Sequence, residues 1–224
     1  MEKYLFVLRN SPFFQGMADD EILSILKCVN AVVVKKEKDA HYFRNGDSTD
    51  SLGIVLSGSV LCMQEDLWGH RNIVRRVVTG ESFAEPYAAT PGAVLNVSVV
   101  ASEDSEVMLL QMSRMLQTCA TACTHHNRLI RNLVSVMSQH VLNLNDKITH
   151  MGKRSTREKL LSYLSAESMR QGKLSFDIPY DRQQLADYLC IERAAMSVEL
   201  SKLQKEGILK TTKNHFELFS KIET

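Results

Sequence analysis

Seven apolar residues recur at alternating steps of 4 and 3 between positions 130 and 151. They are Ile130, Val134, Met137, Val141, Leu144, Ile148 and Met151. This spacing keeps an apolar seam on one helix face over three heptads, which is typical of a coiled coil. A helix that packs on its own domain normally has a wider apolar stripe with a period of 3.6 residues. The pattern therefore favours a parallel dimer seam on one continuous helix.

The segment before this helix has a different period. From Ala31 to Met112, short apolar runs alternate with Gly-containing turns such as Asn45-Gly46-Asp47 and Ser57-Gly58-Ser59. Strands spaced about 8–12 residues apart are typical of a compact all-β barrel or roll. We therefore predict a β-domain at 1–112, followed by a dimerisation helix and hinge at 113–151.

The segment after Gly152 contains short helical patterns. Helices are predicted at 182–189 and 193–206, with SFDIPY as a short strand before them and ILKTTKNHFELF as a hairpin after them. Two short helices followed by a hairpin fit a winged helix-turn-helix, here predicted at 152–224. The whole chain is predicted to be an α+β protein.

Charge and cysteine content limit the classes of protein that the chain can belong to. Its net charge is +1, but positions 152–224 hold 13 Lys or Arg against 10 Asp or Glu, a local balance of +3. No apolar run approaches the length of about 20 residues that spans a bilayer, and the first residues do not form a secretory signal. The five scattered cysteines suit reduced thiols. We expect a cytoplasmic protein with no membrane association.

Three segments resemble the cyclic-AMP receptor protein and fumarate–nitrate regulator (CRP/FNR) superfamily of bacterial transcription factors. They are GESFAE, EDSEVMLLQM and DRQQLADYLCIERAAMSVELSKLQKEGIL. The resemblance covers nearly the whole chain and implies a cyclic-nucleotide-binding-like β-roll (a double-stranded β-helix), a long dimerisation helix and a winged helix-turn-helix. It also implies a homodimer on double-stranded DNA with an inverted-repeat site. A small-molecule effector and RNA polymerase are further candidate partners.

The resemblance places the family's base-reading arginine at Arg193, at the start of the second helix. An arginine fork can bond guanine O6 and N7 together, although a phosphate contact is the alternative. Ser197 lies one turn further on. The family's acidic residue is replaced by Ala194 and its second arginine by Val198, so a methyl group of Ala194 or Ala195 is a candidate contact for thymine. Candidate phosphate contacts are Arg182, Gln183, Lys202, Lys205 and Lys213.

Relatives that bind cyclic AMP use a Gly-Glu pair for the ribose and an Arg-Ser pair for the cyclic phosphate. These pairs fall on Ala84-Glu85 and Leu95-Asn96. Leucine supplies neither a cation nor hydrogen bonds to a phosphate that leaves water, and Pro86 removes a backbone N–H. We therefore predict that cyclic AMP is not the effector; a cyclic-nucleotide-responsive regulator remains the alternative.

The position that meets the nucleobase in cyclic-AMP binders falls near His140, with Leu144 and Asn145 one turn later. Two readings stay open: a small, less charged effector, or a packed pocket without a ligand. The candidate pocket residues are Trp68, Phe83, Glu85, Tyr87, Leu95, Asn96, His140 and Asn145.

Metal chemistry and enzyme function find little support in the sequence. Cys119-x3-Cys123, followed by His125 and His126, does not match a known zinc spacing, and any redox role of the two thiols stays open. A cupin-like metal enzyme would need clustered histidines, whereas His41 and His70 are isolated. No catalytic or metal-binding residues and no cofactor are predicted.

Overall fold

A computed structural model describes residues 1–116 and 124–219, which form two compact units. The first unit contains residues 1–70 and 74–141, and the second contains 71–73 and the described residues from 142 onward. The helices are α1 Leu5–Asn10, α2 Asp19–Cys28, α3 Glu85–Ala89, α4 Met112–Leu116, α5 Thr124–Met151, α6 Thr156–Gln171, α7 Arg182–Leu189 and α8 Arg193–Lys205. The strands are β1 Val32–Lys36, β2 His41–Phe43, β3 Ser51–Ser57, β4 Ser59–Glu65, β5 Arg71–Val78, β6 Ser82–Phe83, β7 Ser98–Ala101, β8 Ser105–Gln111, β9 Ser175–Asp177, β10 Leu209–Thr212 and β11 His215–Leu218.

The predicted β-roll is confirmed by two four-stranded sheets. Their strand orders are β1-β8-β3-β6 and β2-β7-β4-β5. Strand β3 pairs antiparallel with β8 from Ser51 opposite Gln111 to Ser57 opposite Glu106. Consecutive strands thus alternate between the two sheets for much of the roll, which brings residues distant in sequence into one interior.

The interior of the roll is filled by its own side chains. Phe83 is buried and lies edge-on to Phe43, with ring centroids 6.0 Å apart. The Phe83 ring lies so close to Gly53 that a Cβ at position 53 would be 2.2 Å from the ring. Glycine is therefore required at position 53 by close packing, as expected for glycine within a strand.

Helix α5 packs against the first unit through a face that the heptad analysis did not include. Leu129, Leu133 and Val136 are buried in one core cluster together with residues of α1, α2, β3 and β8. Met137, from the predicted seam, is partly buried against the same cluster. Packing of the helix on its own domain, stated above as the alternative to a dimer seam, is thus present, but on a neighbouring face.

The second unit contains a winged helix-turn-helix, as the sequence predicts. Helix α6 begins at the N-cap Ser155, which forms a capping box with Glu158, and it ends at Gly172 in the left-handed conformation (φ 64°). The wing is a three-stranded antiparallel sheet in the order β10-β11-β9. Helices α7 and α8 match the predicted spans to within one residue.

Among the helices that the structure describes, none combines the length and the apolar character that crossing a bilayer requires.

Candidate nucleic-acid interface and effector site

The helix-turn-helix is set by a short turn between α7 and α8. Helix α7 starts at the N-cap Asp181, whose side chain accepts a hydrogen bond from the Gln184 backbone N–H, and ends at Cys190 in the left-handed region (φ 51°). Helix α8 then presents its apolar side to the domain core, with Met196, Leu200 and Leu203 buried. The opposite side of α8 is left to the solvent.

The exposed side of α8 carries the predicted DNA-contacting residues together. Arg193, Ala194, Ser197 and Lys202 are all exposed. Across residues 1–116 and 124–219, the Arg193 guanidinium has no hydrogen bond or ion pair. The Ser197 hydroxyl donates to the Arg193 carbonyl at 2.9 Å, so its hydrogen is used within the helix. Arg193 is thus a free cationic fork beside a serine whose oxygen can still accept a hydrogen bond.

A half-buried arginine of α6, Arg157, holds α8 in place. Arg157 Nη1 lies 3.1 Å from Glu199 Oε1 and 3.0 Å from Glu206 Oε1, and Nη2 also pairs with Glu206. The hydrogen bond from Arg157 to Glu206 raises the pKa of Arg157. Glu199 and Glu206 are at the middle and the end of α8, so a single side chain from α6 holds both. Sequence analysis did not identify this clamp, because the three charges are 42 and 49 positions apart.

The other predicted phosphate contacts differ in their burial and in the protein groups that they already bond. Lys202 is exposed and only loosely paired, 3.8 Å from Glu199. Gln183 is exposed, and its amide donates to Asp187 at 2.8 Å. Arg182 is placed differently from the prediction: it donates to Thr211 Oγ1 at 2.6 Å and lies 5.0 Å from the centroid of the Phe216 ring. Burial lowers the Arg182 pKa. Arg182 therefore anchors the wing to α7 instead of facing solvent as a phosphate contact.

The predicted effector site contains a residue with an unusual backbone conformation. Ala84 has φ 66°, in the left-handed region that alanine rarely adopts, and it precedes α3. The resemblance places the family's glycine at this position, so the turn keeps a glycine-like conformation although the residue has changed. This strained turn directs the next residue, Glu85, into the protein.

Glu85 is buried, with 2% of its surface exposed. Burial raises the pKa of its carboxyl group, while the nearby charge of Arg75 and a hydrogen bond with Ser82 oppose that change. Within the described residues, its Oε1 has no hydrogen-bond partner. Arg75 was not predicted. It stands in RNIVRRVV, and an arginine at an alternating position of a strand is a signal that could have identified it.

His140 approaches the same carboxyl group from α5. Its Nδ1 lies 3.7 Å from Glu85 Oε1, which is too long for a hydrogen bond. Burial, with the charge of Arg75 as the second cause, lowers the pKa of His140 to about 4. Because burial disfavours the charged form of both groups, they are better described as a neutral contact than as an ion pair.

The other residues predicted to line the pocket lie in different surroundings. Phe83 and Leu95 are both 1% exposed and belong to the interior. The backbone of Leu95 pairs with Gly46 and Asp47 at 2.8 Å. Asn96 is exposed and accepts a hydrogen bond from the Tyr87 hydroxyl. Trp68 is largely exposed in the turn between β4 and β5.

Asn145 is also exposed, and it belongs to the second compact unit, whereas Glu85 and His140 belong to the first. Leu95 and Asn96 occupy the Arg-Ser positions without bringing a cation to Glu85. Within the first unit, the structure brings Glu85, His140 and Arg75 close together.

The apolar residues that the heptad places on one face of α5 are mainly exposed. Ile148 is 68% exposed and Val134 58%, and Val141 and Leu144 are also exposed. Ile130 and Met137 are half-buried. Four apolar residues at seam spacing thus lie on the surface of the chain.

The Cys119-x3-Cys123 motif lies outside the described residues. Of the described residues, no group of three or more His, Cys, Asp or Glu side chains could hold a metal ion.

A β-roll joined to a winged helix-turn-helix with a free arginine at the start of its second helix has the architecture of a transcription regulator. Two family models match the chain: a cyclic nucleotide-binding domain at residues 33–122 and a Crp-like helix-turn-helix domain at residues 158–219. The chain belongs to the CRP/FNR family, whose members are transcription regulators and not enzymes.

Similar proteins agree with this assignment. The transcriptional activator protein FnrL of Cereibacter sphaeroides is 29% identical over 68 residues, which are 26% of this chain and 27% of that relative. The matched segment thus spans about a quarter of the relative.

Solved structures at lower identity share the fold. FixK2 from Bradyrhizobium japonicum has a TM-score of 0.65 at 20% identity, covering 85% of this chain and 93% of its own. The c-di-GMP responsive global regulator CLP from Xanthomonas campestris has a TM-score of 0.73 at 18% identity, covering 91% and 100%. A CooA mutant from Carboxydothermus hydrogenoformans has a TM-score of 0.71 at 17% identity, covering 96% and 90%.

Proposed function

We propose that this protein is a homodimeric, cytoplasmic transcription regulator that reads an inverted-repeat DNA site and that responds to a signal other than cyclic AMP. The observation that carries the proposal is the Arg193 guanidinium, exposed at the start of α8 and without a partner among the described residues. An arginine that no protein group uses, on the second helix of a helix-turn-helix, is placed to enter the major groove.

Base reading by Arg193 is supported by the rigidity of its helix. Arg157 bonds Glu199 and Glu206, which fixes α8, and Arg182 fixes the wing through Thr211. Specific contacts need side chains held in a defined place, and α8 meets this condition. Lys202, exposed further along the helix, is better suited to a phosphate, which requires only a nearby charge.

The test is to isolate the fragments of the native genome that the protein retains and to measure binding to the enriched sequence. We expect an inverted repeat with half-site centres about 34–36 Å apart. Arg193→Ala should cost about 1–3 kcal/mol on a guanine-containing site and remove the preference at that base. The matched control, Lys202→Ala, should weaken all sequences alike and lower the salt dependence. If the wild type retains all genomic fragments equally, the proposal is wrong.

Dimer formation is supported by the exposed heptad face of α5. Val134, Val141, Leu144 and Ile148 are all exposed, although residues on a neighbouring face of the same helix are buried in the first unit. A second copy of the same helix would cover this face with identical heptads. An inverted-repeat site also requires two recognition helices related by a two-fold axis.

Control by something other than cyclic AMP is supported by the Glu85 site. A cyclic phosphate needs a cation or several donors, but the family's Arg-Ser position is held by the buried Leu95 and by Asn96, which accepts a hydrogen bond from Tyr87. FnrL is by name a transcriptional activator, and RNA polymerase is a candidate partner of this chain on that analogy.

A further inference from the structure

Helix α8 carries an exposed apolar stripe, Ala194 and Val198, that packing in the domain core does not explain. Val198 is 57% exposed, and Ala194, four residues earlier, is exposed as well. The other face of α8 packs into the domain core through Met196, Leu200 and Leu203. Valine is also a weaker helix former than alanine or leucine. An exposed valine at this position therefore adds nothing to the stability of the isolated domain.

The polar groups next to the stripe are partly engaged within the domain itself. Residues at i and i+4 lie on one helix face, about 6 Å apart along the axis. The Ser197 hydroxyl gives its hydrogen to the Arg193 carbonyl at 2.9 Å. Glu199, next to Val198, is 3.1 Å from Arg157 and so is held on the domain side. Methyl groups, and not polar groups, thus face outward at positions 194 and 198.

We propose that Ala194 and Val198 form a methyl-reading surface that recognises thymine C5-methyl groups next to the base contacted by Arg193. The thymine methyl is the one apolar group on the base edges of the major groove. A separation of about 6 Å along a helix that lies in the groove corresponds to about two base pairs of 3.4 Å each. The preferred half-site should therefore contain thymines about two positions apart, with the position facing Val198 the more sensitive. This inference rests on the proposed function.

The test uses synthetic operators in which each thymine of the half-site is replaced by deoxyuridine, which removes only the methyl group. Fluorescence anisotropy should show that the wild type loses about fourfold in affinity at one thymine, as expected for one buried methyl. Val198→Ala should bind the thymine operator about fourfold or more weakly and should no longer distinguish thymine from uracil at that position. The matched control is Val94→Ala, because Val94 is also 57% exposed but belongs to the first unit; it should bind like the wild type.

Two further measurements separate methyl recognition from a structural effect. Replacing the sensitive T·A pair by C·G should weaken wild-type binding, and 5-methylcytosine in the same place should recover part of the loss. Val198→Thr keeps the shape but exchanges one methyl group for a hydroxyl, and it should reduce the thymine preference without changing the thermal midpoint.

The outcomes distinguish this inference from the proposed function. Equal binding to all fragments would refute the regulator itself. A clear preferred site that binds uracil as well as thymine at every position would leave the regulator intact and refute methyl reading. Equal losses by Val198→Ala on thymine and uracil operators would also refute it, since they would assign Val198 a structural role.

Discussion

The exposed side of α8 and the Glu85 site differ in how they accommodate residues that depart from the family pattern. On α8 the replaced positions, Ala194 and Val198, point to solvent and leave the surface open. In the β-roll, the replaced Leu95 turns inward and is 1% exposed, where it forms part of the core. A replacement on an exposed helix changes what the surface can bind. A replacement inside a roll changes whether there is room to bind anything.

The two sites also differ in which features of the family pattern they share. The recognition helix has the charge of Arg193, and Arg157 bonds Glu199 and Glu206 of the same helix region. The β-roll has the left-handed turn at Ala84 (φ 66°), but the position of the family's Arg-Ser pair is held by Leu95 and Asn96. A turn of this kind persists when the surrounding structure holds it in place.

The largest effect is expected from the heptad face of α5. Val141→Asp combined with Leu144→Asp places charges on the proposed seam and should yield monomers, since two buried like charges cannot be paired there. Losing the second half-site should reduce operator affinity by about 10²–10⁴-fold. Light scattering and anisotropy measure the two quantities. Gln139→Asp, exposed and at a heptad position away from the seam, is the matched control; an unchanged dimer mass in the double variant would contradict the seam.

The filled interior of the roll can be tested at Gly53. Gly53→Ala should lower the free energy of unfolding by about 1–3 kcal/mol, because its Cβ would be 2.2 Å from the Phe83 ring. Combining it with Phe83→Leu should recover part of that loss by making room. Chemical denaturation of the two variants measures the effect. A Gly53→Ala protein as stable as the wild type would mean that Phe83 does not occupy the space assigned to it.

A pH dependence is expected from His140. Its folded pKa of about 4 lies below the ordinary 6.5, so folding favours the neutral ring. That contribution is complete above pH 6.5 and is lost as the pH falls toward 4. Allowing for screening by solvent, we expect about 1 kcal/mol between pH 7 and pH 5. His140→Gln should flatten this part of the unfolding profile. Identical slopes in wild type and His140→Gln would count against a buried neutral ring.

The smallest effect is expected from cyclic AMP itself. At micromolar concentration, calorimetric titration should give no saturable binding, because the missing charge-assisted contacts are worth about 1.5–3 kcal/mol each. Leu95→Arg should not create the site, since Leu95 is buried and its backbone is paired with Gly46 and Asp47. A clear isotherm with cyclic AMP or cyclic GMP would instead favour the cyclic-nucleotide-responsive alternative.

Most of the architecture could be predicted from local patterns. The alternation of short apolar runs predicted the roll, and short helical patterns predicted α7 and α8 to within one residue. The pocket could not be predicted to the same degree. Trp68, Phe83, Leu95 and Asn145 had suitable positions in the sequence, but a position does not fix whether a side chain points inward, outward or into a core already filled.

The sequence by itself determined the order of the elements, the spacing of the heptad face on α5 and the identity of the residues at the start of α8. These depend on periodicity and on neighbours within a few residues, which a linear sequence contains. Only the tertiary structure decided that α5 also packs through Leu129 and Leu133, that Arg157 clamps α8, and that Phe83 fills the space beside Gly53. Those contacts join residues far apart in the chain, and their energy comes from close packing and burial, which exist only after the chain has folded.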